Sequence, residues 1–330
     1  MIKEVLSFVA VSGVITALIP LGLILSQPVR TDMPSAQTLD FDRLLENSRS
    51  AGDQIPEPQP APKPVLMRDG YALQVRHYSN GEGPLTILVH GSGWNGLQFS
   101  NLAPKLSGRV LVPDLRGHGA FAGTRGDVDY IGQFEDDLAD LIAATVNPGQ
   151  PVVLMGHSSG GGLVVRFAGG RHGALVDAAV LLAPFLNHKA PTMRANAGGW
   201  SQPLVRRLIA LSMLNAVGIT AWNNLTVIQF NMPSKVLDGP LGHLATTSYS
   251  YRLNRSFAPR DDYLQDIKSL PRFLLMAGAQ DEAFVASAYK PLMQGASSLG
   301  QYKILAGAGH LDLVDAPETL DAIKGFLGGV

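Results

Sequence analysis

Ser158 is the residue of this chain best placed to act as a nucleophile. It is the central residue of the pentapeptide Gly-His-Ser-Ser-Gly at 156–160, which follows the apolar run 151–155 and precedes the helix-compatible run 162–168. Glycines on either side of such a serine let the backbone turn sharply without Cβ clashes, so the hydroxyl projects clear of the preceding strand. A serine hydroxyl attacks a carbonyl only when a base takes its proton and an acid orients that base.

The candidate acid and base lie downstream of the serine. Asp281 comes within a loop's length of the apolar run 273–278, and His310 comes after the run 301–306 and a short glycine-rich loop. The first run is typical of a buried strand, and the second run is typical of one more strand. We therefore expect His310 to remove the proton of Ser158, and Asp281 to orient the imidazole of His310.

The order Ser, Asp, His, with each residue at the end of its own strand, resembles the arrangement of the α/β-hydrolase superfamily. The resemblance covers roughly residues 65–330. It implies an α/β fold of the α/β-hydrolase type, with a mostly parallel central sheet flanked by helices. Within the superfamily, the chain resembles monoacylglycerol-lipase-like, lysophospholipase-like and serine-aminopeptidase-type members.

Two further segments agree with this resemblance. The sequence His-Gly-Ser-Gly at 90–93 follows an apolar run and is similar to the superfamily's oxyanion loop. The resemblance implies that the backbone N–H groups of Ser92 and Ser159 form the oxyanion hole. The sequence Asp-Leu-Arg-Gly-His-Gly at 114–119 looks like a turn that is structural in this superfamily.

Other residues compete for the role of the acid. Asp312 and Asp315 follow the histidine and would break the expected order, and Glu282 is one residue late for the resemblance. We therefore favour Asp281 over these three.

Other histidines lie inside the motifs. His90, His118 and His157 stand beside glycines, so packing or loop hydrogen bonding is their expected role. No histidine belongs to an H-E-x-x-H metal pattern. The chemistry expected of the serine is two-step acyl transfer, which requires no cofactor and no metal.

Composition narrows the function classes. The 330 residues are 46% hydrophobic and carry a formal net charge of −1, which gives no electrostatic reason to expect a nucleic-acid partner. The chain has no cysteine, which excludes disulfides and thiolate metal sites.

The N-terminal residues 1–26 are predicted to form a transmembrane anchor. No charged residue occurs from Val5 to Leu25, a length that can cross a hydrocarbon core of about 30 Å as a helix. A cleaved signal peptide is the alternative, with residues 24–26 as a weak cleavage site. Basic residues on the two sides of the span barely discriminate its orientation. We favour a membrane-anchored protein whose catalytic domain is exported to the periplasmic or extracellular side, with secretion after signal cleavage as the alternative.

A tether and an inserted cap are expected around the catalytic domain. Residues 27–65 form a tether whose proline-rich run at 56–64 favours extended conformations. The catalytic domain is predicted at 66–330, with a mainly helical cap at about 186–260. A connection of this length is normally structured or functional.

The cap directs the prediction of substrate. Its helix-compatible run at 203–214 and its aromatic and methionine residues provide an apolar wall, while its arginines are expected on solvated faces. We therefore expect a serine ester hydrolase that acts on hydrophobic or lipid-like small-molecule esters. Other chemistries of the same scaffold stay open, namely those of a peptidase, thioesterase, C–C hydrolase or haloperoxidase. A non-catalytic receptor is less favoured, because a receptor need not keep all three residues.

Overall fold

The computed structural model of the chain describes residues 2–30, 39–41 and 59–330. Most of the described residues belong to one layer of strands with helices on both faces and an insertion above it. In chain order the strands are β1 (Lys63–Leu66), β2 (Ala72–Asn80), β3 (Leu85–Val89), β4 (Gly108–Asp114), β5 (Val152–His157), β6 (Ala178–Leu182), β7 (Ser201–Pro203), β8 (Thr226–Phe230), β9 (Ser248–Ser250), β10 (Arg272–Gly278) and β11 (Gly300–Leu305).

Longer helices alternate with these strands through most of the domain. In chain order the α-helices of the described residues are α1 (Ile2–Leu25), α2 (Gln133–Thr145), α3 (Ser159–Ala168), α4 (Val205–Ala216), α5 (Ser234–Leu237), α6 (Tyr251–Phe257), α7 (Tyr263–Lys268), α8 (Tyr289–Gln294) and α9 (Pro317–Leu327).

Eight of the described strands form the central sheet in the order β1-β2-β4-β3-β5-β6-β10-β11. Strand β2 pairs antiparallel with β1 and β4, and the strands from β4 to β11 in this order run parallel. Every residue of β3, β5 and β6 is buried, as expected for strands covered on both faces by helices. The predicted fold, a mostly parallel sheet flanked by helices, is confirmed. Parallel strands bring the loops after β3, β5, β10 and β11 to one edge of the sheet.

The insertion between β6 and β10 contains a sheet as well as helices. Strands β7, β8 and β9 form an antiparallel three-stranded sheet beside α4, α5 and α6. The prediction of a mainly helical cap was therefore wrong in part, although helix α4 closely follows the predicted run 203–214. The sequence Thr-Val-Ile-Gln-Phe of β8 is β-branched and aromatic, which favours a strand, and it alternates between less and more buried positions.

Helix α1 packs against the cap with its C-terminal end. Ile24 is buried in a cluster with Ala210, Leu211 and Leu214 of α4. Beyond the helix, the side-chain oxygen of Gln27 accepts a hydrogen bond from the backbone N–H of Arg206 at 2.7 Å. These contacts attach the helix to the domain.

The transmembrane prediction for residues 1–26 has no support in the structure. In the described part of the chain, no helix was found with the combined length and apolarity of a membrane span. One of the apolar residues that suggested a membrane span, Ile24, instead packs against the cap.

The predicted tether lies largely outside the described residues, which omit 31–38 and 42–58. Its last residues differ from the prediction, because β1 begins at Lys63 and pairs with β2 as part of the central sheet. A second described part, residues 39–41, places Leu39 and Phe41 in the main hydrophobic core.

Candidate active site

Ser158 lies on the sharp turn between β5 and α3, as predicted. Its backbone has φ 55° and ψ −121°, a conformation that non-glycine residues rarely adopt and that costs on the order of 1–3 kcal/mol. The surrounding backbone holds the turn in place: the N–H of Ser158 donates to the carbonyl of Leu182 at 2.9 Å, and its carbonyl accepts from Gly162 and Phe185. Strain that is held so firmly is typical of functional sites.

The glycines of the pentapeptide are required by close approach of the backbone. A Cβ on Gly156 would lie 2.3 Å from the carbonyl oxygen of Gly160, and a Cβ on Gly160 would lie 2.1 Å from that of Val89. Neither glycine has a positive φ. A side chain at either position would therefore push the helix away from the sheet and move Ser158.

His310 and Asp281 are brought together at the same edge of the sheet. The Nδ1 atom of His310 lies 2.8 Å from Oδ2 of Asp281, and both side chains are buried. The other oxygen of Asp281 accepts hydrogen bonds from the backbone N–H groups of Ala283 at 2.8 Å and Phe284 at 2.7 Å. This geometry leaves Nε2 of His310 as the nitrogen that can act as a base.

The electrostatics of Asp281 favour its charged form. Burial raises the pKa of this carboxyl. The nearby His310 and the N–H groups of Phe284 and Ala283 lower the pKa by more than burial raises it, so the net pKa is below its ordinary value. An ionised Asp281 accepts a hydrogen bond from the Nδ1–H group of His310 and fixes the imidazole tautomer.

The competing acids make different contacts. Glu282 accepts a hydrogen bond from the backbone N–H of His310 at 2.7 Å and so supports the loop, whereas Asp281 contacts the ring. Asp315 accepts from the side-chain amide of Asn101 at 3.2 Å. The geometry thus distinguishes Asp281 from its sequence neighbour.

Ser92 and Ser159 meet beside Ser158. Their hydroxyl oxygens are 2.5 Å apart, and both residues line a cavity together with Ser158 and His310. Within the described residues, no acceptor is found for the backbone N–H of either serine, whereas the N–H of Gly93 donates to the hydroxyl of Tyr249 at 2.7 Å. The N–H groups of Ser92 and Ser159 are therefore the ones available to a substrate oxygen.

Ser158 and His310 face the same two cavities. No hydrogen bond joins the Ser158 hydroxyl to the imidazole within the described part of the chain. Such contacts are often long in the absence of substrate and shorten in the reacting complex.

His157 and Gln98 form a buried chain of hydrogen bonds next to this pair. The N–H of Gly91 donates to Oε1 of Gln98 at 2.9 Å, and Nε2 of Gln98 lies 2.5 Å from Nδ1 of His157. The Nε2 of His157 lies 3.0 Å from the carbonyl oxygen of His310, which can only accept. Because a backbone N–H can only donate, the direction of the chain is set at both ends, and His157 must carry its proton on Nε2.

His157 is neutral in this environment. Burial is the main cause that lowers the pKa of His157 to about 3, and the nearby His310 is the second. The two imidazole rings lie with their centroids 4.6 Å apart. The expected role of His157 in loop hydrogen bonding is confirmed, but its link from the oxyanion loop to His310 was not predicted, because no sequence pattern marks Gln98.

Arg194 of the cap holds the loop that carries Asp281. Its Nε donates to the carbonyl oxygens of Asp281 at 2.8 Å and Phe284 at 3.0 Å. Arg194 is exposed, as expected for the cap arginines, and its contact with this loop joins residues that are distant in the chain.

Two cavities are lined by the candidate nucleophile, and a third adjoins one of them. One of about 30 Å³, the small compartment, is lined by Ser158 and His310 together with Leu39, Phe41 and Trp200. A second of about 90 Å³, the middle compartment, is also lined by Ser158, His310 and Trp200. A third of about 980 Å³, the cap cavity, shares lining residues with the middle compartment, among them Phe185 and Met193.

In the described ranges, no group of three or more His, Cys, Asp or Glu side chains is arranged to hold a metal ion.

A family model described as the alpha/beta hydrolase family matches residues 86–323 of the chain. The chain belongs to this family. Strands β4 to β11, all of β3 except Leu85, the turn at Ser158 and the loop at His310 lie inside the matched range. The α/β-hydrolase family therefore accounts for the elements that position the candidate site.

Individual relatives within the α/β-hydrolase family match shorter stretches. A monoacylglycerol lipase of Mycolicibacterium smegmatis is 32% identical over 108 residues, which is 31% of this chain and 38% of that protein. Protein phosphatase methylesterase 1 of Mus musculus is 27% identical over 148 residues, 38% of each chain. The matched segments thus span little more than a third of these relatives' lengths.

Solved structures match over more of the chain. A soluble variant of monoglyceride lipase from Saccharomyces cerevisiae has a TM-score of 0.61 and 17% identity, covering 81% of this chain and 94% of that one. A thermophilic esterase from Thermogutta terrifontis has a TM-score of 0.55 and 20% identity, with coverages of 82% and 98%. At these identities the likeness shows the fold.

Proposed function

We propose that this α/β hydrolase is a serine hydrolase that cleaves carboxylic esters through an acyl-enzyme on Ser158. The observation that carries the proposal is that Ser158, which has a strained backbone, and the buried Asp281–His310 pair meet at one cavity. Available backbone N–H groups at Ser92 and Ser159 add the donors that acyl transfer needs.

In the first step, the Ser158 hydroxyl oxygen attacks the ester carbonyl carbon while Nε2 of His310 takes the hydroxyl proton. The carbonyl oxygen becomes an oxyanion, which the N–H groups of Ser92 and Ser159 stabilise. Collapse of this intermediate breaks the bond to the alcohol oxygen, and the imidazolium of His310 returns the proton to that oxygen. The products are the free alcohol and an acyl ester on Ser158.

In the second step, water attacks the acyl carbon while His310 takes one of its protons. The new tetrahedral intermediate collapses with release of the carboxylic acid, and His310 returns the proton to the Ser158 oxygen. Asp281 keeps its negative charge throughout and stabilises the imidazolium in both steps.

The substrate class follows from the cap cavity. Val205, Leu208, Ile209 and Met213 of α4 form an apolar wall, whereas Arg194 and other polar residues line another side. A space of about 980 Å³ with this lining suits the long chain of a hydrophobic or lipid-like ester. One mycobacterial relative is named a monoacylglycerol lipase, and the similar yeast structure is named a monoglyceride lipase. Both names support a hydrophobic or lipid-like ester as the substrate.

Full-length protein should be incubated with a fluorophosphonate probe and with p-nitrophenyl esters of graded acyl length. We expect covalent labelling and hydrolysis that are both lost in Ser158→Ala and retained in Ser107→Ala, since Ser107 is an exposed loop residue. A wild-type protein that is neither labelled nor active on any ester would overturn the proposal. Preference for acetate over longer acyl chains would contradict a lipid-like acyl group and leave the chemistry intact.

The predicted export of the catalytic domain stays a prediction. A topology reporter fused after Val330 tests it: activity restricted to reporters that work outside the cytoplasm is expected, and activity only in the cytoplasm contradicts it.

A further inference from the structure

The two sides of Ser158 differ greatly in the space they offer. The small compartment has a volume of about 30 Å³, while the middle compartment of about 90 Å³ adjoins the cap cavity of about 980 Å³. Trp200 lines both the small and the middle compartments, as do Ser92, Ser158 and His310. A tetrahedral intermediate on Ser158 projects its acyl and alkoxy groups in different directions, so the two groups of an ester meet unequal spaces.

The small compartment is closed by residues that come from far outside the sheet. Leu39 and Phe41 are only 6% and 5% exposed, respectively, and both line this compartment with Ser158 and His310. They precede the first strand, which begins at Lys63, and belong to no helix or strand of their own. Their position depends on packing against the domain.

Phe41 contacts Trp200, which lines both compartments. Its ring centroid lies 5.3 Å from that of Trp200, with an interplanar angle of 41°. Trp200 in turn stacks on Phe230 at 5.4 Å. The wall of the small compartment is thus continuous with the packing of the cap, and it has little freedom to yield to a larger group.

The rest of this wall combines apolar and polar residues. Trp94, Met232 and Leu311 are apolar, and the remaining lining residues beside the candidate catalytic pair are Gly91, Ser92, Gln98 and His157. About 30 Å³ holds no more than a few heavy atoms. An uncharged group of roughly methyl to ethyl size fits such a space, and a longer chain would collide with Phe41.

We propose that Leu39 and Phe41 are specificity-determining residues, which restrict one side of the ester to a small apolar group while the cap cavity receives a long chain on the other. The substrate class is therefore an ester of a long chain with a small partner. This inference rests on the proposed hydrolysis at Ser158 and adds to it the role of a segment that lies outside the matched family range.

Two ester series test the inference with full-length protein. One series contains methyl esters of straight-chain acids from acetate to palmitate, and the other contains acetates of straight-chain alcohols from methanol to hexadecanol. In one series we expect kcat/KM to stay high as the chain becomes longer. In the other it should fall about tenfold or more beyond two or three carbons, because the closed side rejects the added methylenes. The series that persists identifies which group enters the cap cavity.

Substitutions then move the limit in both directions. Phe41→Ala and Leu39→Ala should raise kcat/KM for the six-carbon member relative to the two-carbon member of the restricted series by about tenfold, and Phe41→Trp should lower it. The surface variants Phe121→Ala and Leu299→Ala are matched controls, with side chains 63% and 55% exposed, and should leave this ratio unchanged. Rates are normalised to the fraction of protein that a fluorophosphonate labels, so misfolded protein does not affect the ratio.

The outcomes separate the two proposals. Absence of Ser158-dependent turnover on every ester would contradict the proposed function. Turnover with equal tolerance of long chains in both series, or ratios that do not move in any Leu39 or Phe41 variant, would contradict the specificity role alone.

Discussion

The loops that carry Ser158, Asp281 and His310 are held by buried polar contacts, whereas the surfaces that enclose their cavity are held mainly by apolar packing. In the loops, each oxygen of Asp281 has a partner, and the chain from Gly91 to His310 fixes a proton position. Around the cavity, Phe41 packs on Trp200 and Ile24 packs on α4.

Because of this difference, substitutions in the loops and substitutions in the enclosing surfaces should have different effects. A buried polar group that loses its partner is left unsatisfied, and its neighbours reorient, so changes in the loops are expected to act on the chemical step. An apolar side chain that is shortened leaves space, so changes in the enclosing surfaces are expected to act on substrate size and on stability.

The largest effect should come from Asp281→Asn. An amide can donate to Nδ1 of His310 and so favour the wrong imidazole tautomer, which we expect to lower kcat by about 10⁴-fold. Steady-state hydrolysis of a p-nitrophenyl ester, with active sites counted by fluorophosphonate labelling, measures the loss. The matched control is Glu282→Gln, which retains an oxygen for the N–H of His310 and should cost less than about tenfold. Equal losses in the two variants would contradict the assignment of the acid.

A smaller effect is expected from the chain next to the imidazole. His157→Phe and Gln98→Met should each lower kcat by about 10–100-fold with little change in KM, because His310 loses a fixed position relative to Ser158. His157→Gln should recover part of the activity, since its amide N–H can reach the carbonyl of His310.

The double variant of His157 and Gln98 distinguishes one connected unit from two separate contacts. We expect its loss in kcat to be close to that of one single variant, because either substitution already interrupts the chain. Additive losses, or variants whose rate per labelled site equals that of the wild type, would show that the chain has a structural role only.

The buried histidines also make stability depend on pH. Burial lowers the pKa of His90 to about 4 and that of His157 to about 3, below the ordinary value of 6.5. Between these values and 6.5 the unfolded chain binds protons that the folded chain does not, so the free energy of unfolding should fall as pH falls, by roughly 1.4 kcal/mol per pH unit for each histidine.

Urea unfolding at several pH values between 7 and 4.5 measures this slope. His157→Phe removes one such group and should reduce the slope by the amount expected for one proton. Asp281 contributes in a lower range: its pKa is lowered in the folded protein, so its contribution is present above the unfolded pKa and is lost as pH falls through the folded value. An unchanged slope in His157→Phe would contradict a neutral, buried His157.

The smallest effect should come from the contact between α1 and the cap. Ile24→Ala removes buried methyl groups from the cluster on α4 and should lower the free energy of unfolding by about 1–2 kcal/mol, with kcat per labelled site preserved. The matched control, Ile19→Ala, changes a side chain that is 48% exposed and should cost less than about 0.5 kcal/mol. Urea unfolding measures both, and equal stabilities would show that the helix end adds nothing to the domain.

Local pattern was sufficient to predict the sheet edge and its loops. The apolar runs before Ser158 and Asp281 are buried strands in the structure, and the pentapeptide turns where the glycines require it. The sequence pattern distinguished Asp281 from Glu282 less well as the residue that contacts His310, because both residues follow the same strand. Only the direction of each side chain shows that the first contacts the ring of His310 and the second its backbone.

The enclosing surfaces were predicted less well. The short strand β8 was included in a helical cap, because five residues carry a weak periodic signal and the pairing with β7 and β9 is not local. The apolar N-terminal run predicted a membrane span, whereas Ile24 packs on α4. Apolarity by itself does not say which apolar surface a helix will cover.

The sequence by itself determined the family, the turn at Ser158 and the positions of Asp281 and His310 after their strands, because these depend on local backbone requirements and on the parallel strands that end at one edge. Only the tertiary structure decided which carboxylate contacts His310, that Gln98 and His157 connect the loop at Gly91 to it, and that Leu39 and Phe41 line one side of the cavity. Those contacts join residues distant in the chain, and their selection depends on the shape and direction of side chains after the chain has packed.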